Sequence, residues 1–206
     1  TGYKEVKDYI YKISETGIIG EHPEWSLSTE ALYAKVSVSK ERNEYKTAVS
    51  YYSDENCTTA VETPVITNTY TAPTEGSAEL EIQKAATESW TGKIPNYFQF
   101  KLEALTEGAP MPGTTAVTNN GSDVSFGKIT GYKEVKDYIY KISETGIIGE
   151  HPEWTVSSDV LYAKVSVRKE GNEYKTKVSY YSDENCTTAV ETPVIINNYT
   201  DRKSVV

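Results

Sequence analysis

The stretch "DYIYKISE", Asp137 to Glu144, alternates with a period of two. Side chains of an extended strand point to opposite faces in turn. Tyr138, Tyr140, Ile142 and Glu144 therefore share one face, and Ile139, Lys141 and Ser143 the other. The aromatic face is the better core face, and it ends in a carboxylate. Runs of the same kind surround it: "AELEIQKAA" (78–86), "YFQFKLEAL" (97–105), "SDVSFGKI" (122–129), "VLYAKVSVRK" (160–169), "EYKTKVSYY" (173–181) and "TPVIINNY" (192–199). Short alternating runs separated by turn residues predict an all-β, immunoglobulin-like sandwich. "TNNGSD" predicts a tight hairpin on its Asn-Gly pair, and "RKEGNEYK" a second hairpin.

The chain repeats itself. "TGYKEVKDYIYKISETGIIGEHPEW" stands at residues 1–25 and again, unchanged, at 130–154, an offset of 129 residues. The similarity runs on through "PVITNTYT" (64–71) and "PVIINNYT" (193–200), both read as apolar strands, with differences such as Ser39/Arg168 and Arg42/Gly171. Solenoid repeats have periods of roughly 20–50 residues, so a unit of this length reads as a whole domain. The expected organisation is tandem. Residues 1–70 are the C-terminal part of a first repeat whose N-terminal strands are absent. Residues 71–77, "TAPTEGS", are a linker by their Pro, Gly and Ser content. Residues 78–200 are a complete repeat, and 201–206 are a tail or the start of another linker.

Composition narrows the function. The net charge of −9 argues against nucleic acid or an anionic membrane as partner. No apolar run approaches the roughly 20 residues that span a bilayer. No signal peptide is visible, so the chain reads as cytosolic or as a mature fragment. Tyr is abundant at 17, against 3 Phe and 1 Met, and with Val, Thr and Ile it suits half-buried strands. Cys57 and Cys186 occupy equivalent places in the two repeats. They read as free surface-loop thiols, with an intermolecular disulfide as the lesser alternative.

Strand parity isolates three polar residues on core faces. In the last strand Ile195, Asn197 and Tyr199 point one way, and Val194, Ile196 and Asn198 the other. The second face reads Val65, Thr67 and Thr69 in the first copy, so it is the outer one, and Asn197 and its counterpart Asn68 face inward. In "AELEIQKAA" the apolar face is Leu80, Ile82 and Lys84. In "DYIYKISE" it ends in Glu144, which is Glu15 in the first copy. Each residue alone reads as a strand end reaching water. Together, a Lys and a Glu make an ion pair, but the Asn is left unexplained. A desolvated lysine loses its proton readily and becomes a nucleophile. A desolvated Glu stays protonated near neutral pH and can donate a hydrogen bond to the Asn carboxamide oxygen. The amine can then attack the polarised carbonyl and expel ammonia.

These pieces resemble the Gram-positive pilin isopeptide domain of streptococcal pilus shafts. The likeness rests on "LEIQKA", "FQFKLEA", "YIYKISE" and "VIINNY", and covers residues 78–199 and, in part, 1–70. It implies a CnaB-like sandwich with an autocatalytic Lys–Asn bond: Lys84 as nucleophile, Asn197 as acceptor and Glu144 as catalyst. Ile195 stands where the family commonly has Phe. Glu15 and Asn68 form an incomplete first-repeat site, because the matching Lys would precede Thr1. The expectation is a pilus shaft or adhesin stalk outside the cell, at the cell wall or surface. It would use no cofactor and no metal, would not act as an enzyme on external substrates, and would have neighbouring repeats or subunits of the fibre as partners. The alternative is a module on the same fold that binds glycans or host surface proteins. "GEHPEW", with His22 or His151, reads as a structural loop rather than a metal site. Trp25 and Trp154 read as sandwich packing ahead of a carbohydrate-stacking patch.

Overall fold

A computed structural model describes residues 2–200, and every regular element among them is a β-strand. The tail expected at 201–206 lies outside the described residues. The chain forms two compact units, Thr1–Ala72 and Pro73–Val206.

The first unit contains β1 (Asp8–Ser14), β2 (Trp25–Ser26), β3 (Ala31–Glu41), β4 (Glu44–Tyr52), β5 (Ala60–Val61) and β6 (Thr69–Tyr70). Its main sheet has the order β1-β3-β4-β5, and β2 pairs with β6. Val36 and Val38 on β3 are buried, but Tyr11 and Ile13 on β1 are 46% and 41% exposed. "PVITNTYT" is extended strand only at Thr69 and Tyr70. The apolar pattern alone does not hold a strand there. Its counterpart in the second unit is held by a ladder to another strand, and the first unit has no strand in that place among its described residues. Glu15, assigned inward by parity, is only half-buried for the same reason.

The second unit contains β7 (Gly76–Ala86), β8 (Phe98–Ala104), β9 (Ala116–Thr118), β10 (Asp123–Tyr132), β11 (Asp137–Ile147), β12 (Trp154–Thr155), β13 (Val160–Glu170), β14 (Glu173–Tyr181), β15 (Ala189–Val190) and β16 (Val194–Tyr199). One sheet runs β10-β7-β16-β12 and the other β15-β14-β13-β11-β8-β9. All neighbours are antiparallel except β7 and β16, which are parallel. The core lies between the sheets, built from Leu80, Ile82 and Ile195 on one side and Phe98, Phe100, Leu102, Tyr140, Ile142 and Val165 on the other. The strands β9, β12 and β15 are too short to carry a readable period.

Three local expectations shift. The stretch 71–77 is not free linker throughout, since Thr74 bridges to Glu173 and Gly76 opens β7. Gly76 serves close packing: a Cβ there would lie 2.9 Å from Thr176 Cγ2 and 3.1 Å from the Tyr174 carbonyl oxygen. The turn in "TNNGSD" is displaced by one residue. Asn120 and Asp123 exchange backbone hydrogen bonds of 2.8 and 3.1 Å, leaving Gly121 and Ser122 as the two turn residues. Gly121 has φ +60°, the conformation a two-residue hairpin asks of its first central residue. In "RKEGNEYK" the β13–β14 hairpin turns at Gly171, φ +57°, where the first unit forces Arg42 to φ +54°.

The left-handed backbone costs a side-chain-bearing residue about 1–2 kcal/mol. Gly171→Arg, which gives the second hairpin the residue of the first, should lower the stability of the second unit by about 1 kcal/mol in urea denaturation. An unchanged midpoint would show that the turn relaxes at no cost.

Candidate functional site

The parallel pairing of β7 with β16 sets Ile195 opposite Lys84 and Asn197 opposite Ala86. Lys84 and Asn197 therefore project from the same inward face, displaced by two positions along the ladder. The facing sheet supplies Glu144 from β11, opposite Phe100 on β8, immediately before a break in the β11–β8 register. Bulges of this kind re-aim side chains and end a regular pattern, and Glu144 is the last inward residue of the run that begins at Tyr138.

The three side chains meet in the core. Lys84 Nζ donates to Asn197 Oδ1 at 2.8 Å, and Asn197 Nδ2 donates to Glu144 Oε1 at 2.6 Å. Lys84 Nζ lies 3.7 Å from Glu144 Oε2. It also donates to the carbonyls of Ala85 at 2.8 Å and Ile195 at 3.1 Å. Lys84 is 1% exposed and Asn197 fully buried, and the Glu144 side chain sees no solvent. Phe98 closes one side, with Lys84 Nζ 4.7 Å from its ring centre. Behind it Trp154 packs edge-on against Phe98 at 5.2 Å, and Trp90 and Tyr199 complete the aromatic wall.

Burial decides the ionisation. Desolvation brings the Lys84 ammonium down to about 8, and the charge of Glu144 only partly offsets it. Desolvation likewise raises the Glu144 carboxyl, against the opposing pull of Asn197 and Lys84. Both shifts favour the neutral forms, so one proton passed from Lys84 to Glu144 relieves both desolvation costs. The carboxamide is oriented differently from the sequence expectation. Glu144 meets the amide nitrogen rather than the oxygen: the carbonyl oxygen, the amide's only acceptor, takes the Lys84 amine, which leaves the NH2, its only donor, to face the Glu144 oxygen. This places the acid on the nitrogen that would leave.

The first unit joins only two of the three. Asn68 Nδ2 donates to Glu15 Oε1 at 2.8 Å, and Asn68 Oδ1 accepts from the Ser28 backbone N–H at 2.9 Å. Here the amide oxygen is held by backbone where the second unit has an amine. Cys57 and Cys186 are free, half-buried, and in the left-handed region at φ +54° and +53°. They sit in loops that Asp54 and Asp183 cap by accepting backbone hydrogen bonds. His151 stacks on Tyr97 at 3.9 Å, and Trp154 is core. Among the described residues no cluster of His, Cys, Asp and Glu is disposed to hold a metal ion.

Sequence reasoning passed over two residues that shape the site. Phe98 is its wall, and Asn119 fixes the start of β8: it accepts from Phe98 N at 3.0 Å and donates to the carbonyls of Pro95 and Gly121 at 2.7 Å each. Asn119 is 3% exposed with every bond to backbone. Its signal was the doubled Asn before Gly121, where one Asn suffices for a turn.

Residues 80–200, more than half of the chain, match the model of the FctA family, described as the Spy0128-like isopeptide containing domain. No curated protein matches the chain.

An Asn197→Ala variant keeps Lys84 as a titratable amine. Its proton affinity is set at 10.5 in the unfolded chain and about 8 in the fold, so the unfolded state holds more protons between those values. Stability of the variant should therefore rise as pH increases from about 8 toward 10.5, and Lys84→Met in the same background should flatten the rise. Denaturant titrations across this window provide the check, and a falling curve that depends on Lys84 would contradict the assignment.

Proposed function

This chain belongs to the FctA family of Spy0128-like isopeptide-containing domains, and on that premise we propose that Lys84 and Asn197 of its second unit join in an amide bond that lets the unit bear load in a pilus-type fibre. The observation that carries this reading is the buried contact of 2.8 Å between Lys84 Nζ and the Asn197 carboxamide, with Glu144 2.6 Å from the carboxamide nitrogen.

The chemistry balances within the site. Lys84 gives a proton to Glu144 and becomes a neutral amine. Its nitrogen attacks Asn197 Cγ, and the carbonyl oxygen takes up the negative charge of the tetrahedral intermediate. Glu144 delivers its proton to Nδ2 and takes the second amine proton in turn; the carbonyl re-forms, the Cγ–Nδ2 bond breaks, and ammonia leaves, carrying that last proton from Glu144 away as ammonium. Glu144 ends as it began, and the product is a secondary amide between two side chains. The packed strands hold the reactants in place, and such orientation can contribute roughly 7–11 kcal/mol to lowering a barrier. The apolar wall of Phe98 and Trp154 keeps water from competing for the carbonyl. The reaction happens once, so the protein turns over nothing and is not an enzyme toward other molecules.

Position explains the benefit. The bond spans 113 residues, from the first strand of the unit to its last. Closing a loop of that length stabilises a fold by about 4–5 kcal/mol on the chain-entropy model. Because β7 and β16 are parallel neighbours, tension entering along β7 crosses at Lys84 and leaves through Asn197 and Tyr199. The strands between them lie outside the line of pull. This suits a cell-surface structural protein that associates with other pilin subunits.

The intact mass of the chain should fall one ammonia short of the sequence mass. Lys84→Ala, Asn197→Ala and Glu144→Ala should each restore the full mass, and Asn197→Ala should lose about 4–5 kcal/mol of stability in the second unit. A parent chain of full sequence mass would rule out the bond.

A further inference from the structure

We propose that Asn119 is a positioning residue for the ligation of Lys84 to Asn197: it locks the corner between β9 and β10 onto the start of β8, and so holds the Phe98 ring against the Lys84 amine. This role rests on the bond proposed between those two side chains.

The corner is residues 119–122. β9 belongs to the sheet that carries Phe98 and Glu144, and β10 to the sheet that carries Lys84 and Asn197. The four residues between them cross from one sheet to the other, and both ends of the crossing are tied to the site. At one end the Ser122 carbonyl accepts from the Lys84 backbone N–H at 2.7 Å. At the other end Asn119 encloses Phe98. Its backbone N–H donates to the Phe98 carbonyl at 3.1 Å, and its Oδ1 accepts from the Phe98 N–H at 3.0 Å. Opposed residues of an antiparallel ladder exchange two such bonds, and here a side-chain oxygen takes the place of one backbone carbonyl. Asn119 Nδ2 donates to the carbonyls of Pro95 and Gly121 at 2.7 Å each, and the Gly121 N–H donates to Asn96 Oδ1 at 2.6 Å. Two asparagines thus clamp the corner to the segment 95–98.

The clamp sets the surroundings of the nucleophile. Lys84 is held at its backbone by the corner, and its Nζ lies 4.7 Å from the centre of the fully buried Phe98 ring. The turn itself asks for less. A two-residue hairpin needs Gly121 at φ +60° and the exchange of bonds between Asn120 and Asp123, neither of which involves the Asn119 side chain. That side chain is buried, with both amide protons on carbonyls and its oxygen on Phe98. An aliphatic residue in its place would deprive three backbone groups of a partner. The start of β8 would then shift to recover them, carrying the ring off the amine and admitting water. A misplacement of about 1 Å near the reacting atoms can cost about a hundredfold in rate.

The test has two readouts. Parent and Asn119→Ala chains are made by cell-free synthesis, and their intact masses are followed in time. Asn119→Ala should unfold cooperatively in urea, as a folded chain does, yet lose ammonia roughly a hundredfold more slowly than the parent. In the unreacted Asn197→Ala background, carbon NMR of the Lys84 side chain follows its titration. The midpoint of about 8 should rise toward 10.5 when Asn119→Ala is added, because water then reaches the amine. The charges that bear on Lys84, those of Glu144 and Asp159, are untouched by this substitution. A residue that only stabilised the corner would lower the urea midpoint and leave the titration in place. Phe98→Leu keeps the clamp and removes the ring, so it should slow ligation on the same scale, and it decides the matter where Asn119→Ala does not fold. Ligation at the parental rate in either folded variant, or an unmoved Lys84 midpoint, overturns the role of Asn119. A parent chain of full sequence mass overturns the Lys84–Asn197 bond instead, and the titration then decides whether Asn119 holds the ring on the amine.

Discussion

The second unit is organised around one constraint: an amine and a carboxyl that water cannot reach, with a carboxamide between them. Separating either ionised group from solvent is expensive, and removing one partner leaves the other stranded. The geometry answers that cost in two ways. Nζ is surrounded by the carbonyls of Ala85 and Ile195 and by the Asn197 oxygen, so its protons are all directed at acceptors. The carboxyl, held between Asn197 and Lys84, is raised by burial to where accepting a proton is easy. The proposed bond, by consuming the amine, removes one of the two groups for good. The same burial that makes the charged pair unfavourable favours the neutral amine that the proposed bond requires.

Much of this was legible in the chain. Alternation in "AELEIQKAA", "DYIYKISE" and "TPVIINNY" places Lys84, Glu144 and Asn197 on apolar faces, because a period of two leaves no freedom once one face is buried. Parity does not say which strands are neighbours. That β7 and β16 run side by side and parallel, while Glu144 arrives from the opposite sheet, depends on pairings between residues more than a hundred positions apart. Nor does parity orient a carboxamide. Its two ends are set by which neighbour donates and which accepts, and this is how Glu144 comes to face the nitrogen.

Other departures have local causes. Gly76 looks like linker because glycine marks flexible chain, yet here the lack of a Cβ admits Thr176 and the Tyr174 carbonyl. Asn119 looks like turn chemistry, yet its side chain works as a piece of buried backbone, linking Phe98, Pro95 and Gly121. Both signals are real but have two structural uses. Only the surrounding packing selects between them, and packing is what a single strand's pattern leaves out.

The repeat makes the point more sharply than any single residue. The sequence "DYIYKISE" occurs twice and its alternation is the same both times. In one copy Tyr140 and Ile142 are fully buried, and in the other Tyr11 and Ile13 lie open. Identical propensity and identical pattern therefore specify a strand without specifying a core. The core belongs to the pair of sheets, and the reactive site belongs to the core, since only burial moves the amine and the carboxyl toward their neutral forms. Glu15 and Asn68 hold their mutual geometry at 2.8 Å even where the cover is missing. The pairing of the carboxyl with the carboxamide thus forms between residues 53 positions apart within the first unit, without the burial that the second unit adds. In such a domain the site follows from strand assembly: the ladder that sets Lys84 and Asn197 on one inward face also puts both out of reach of water.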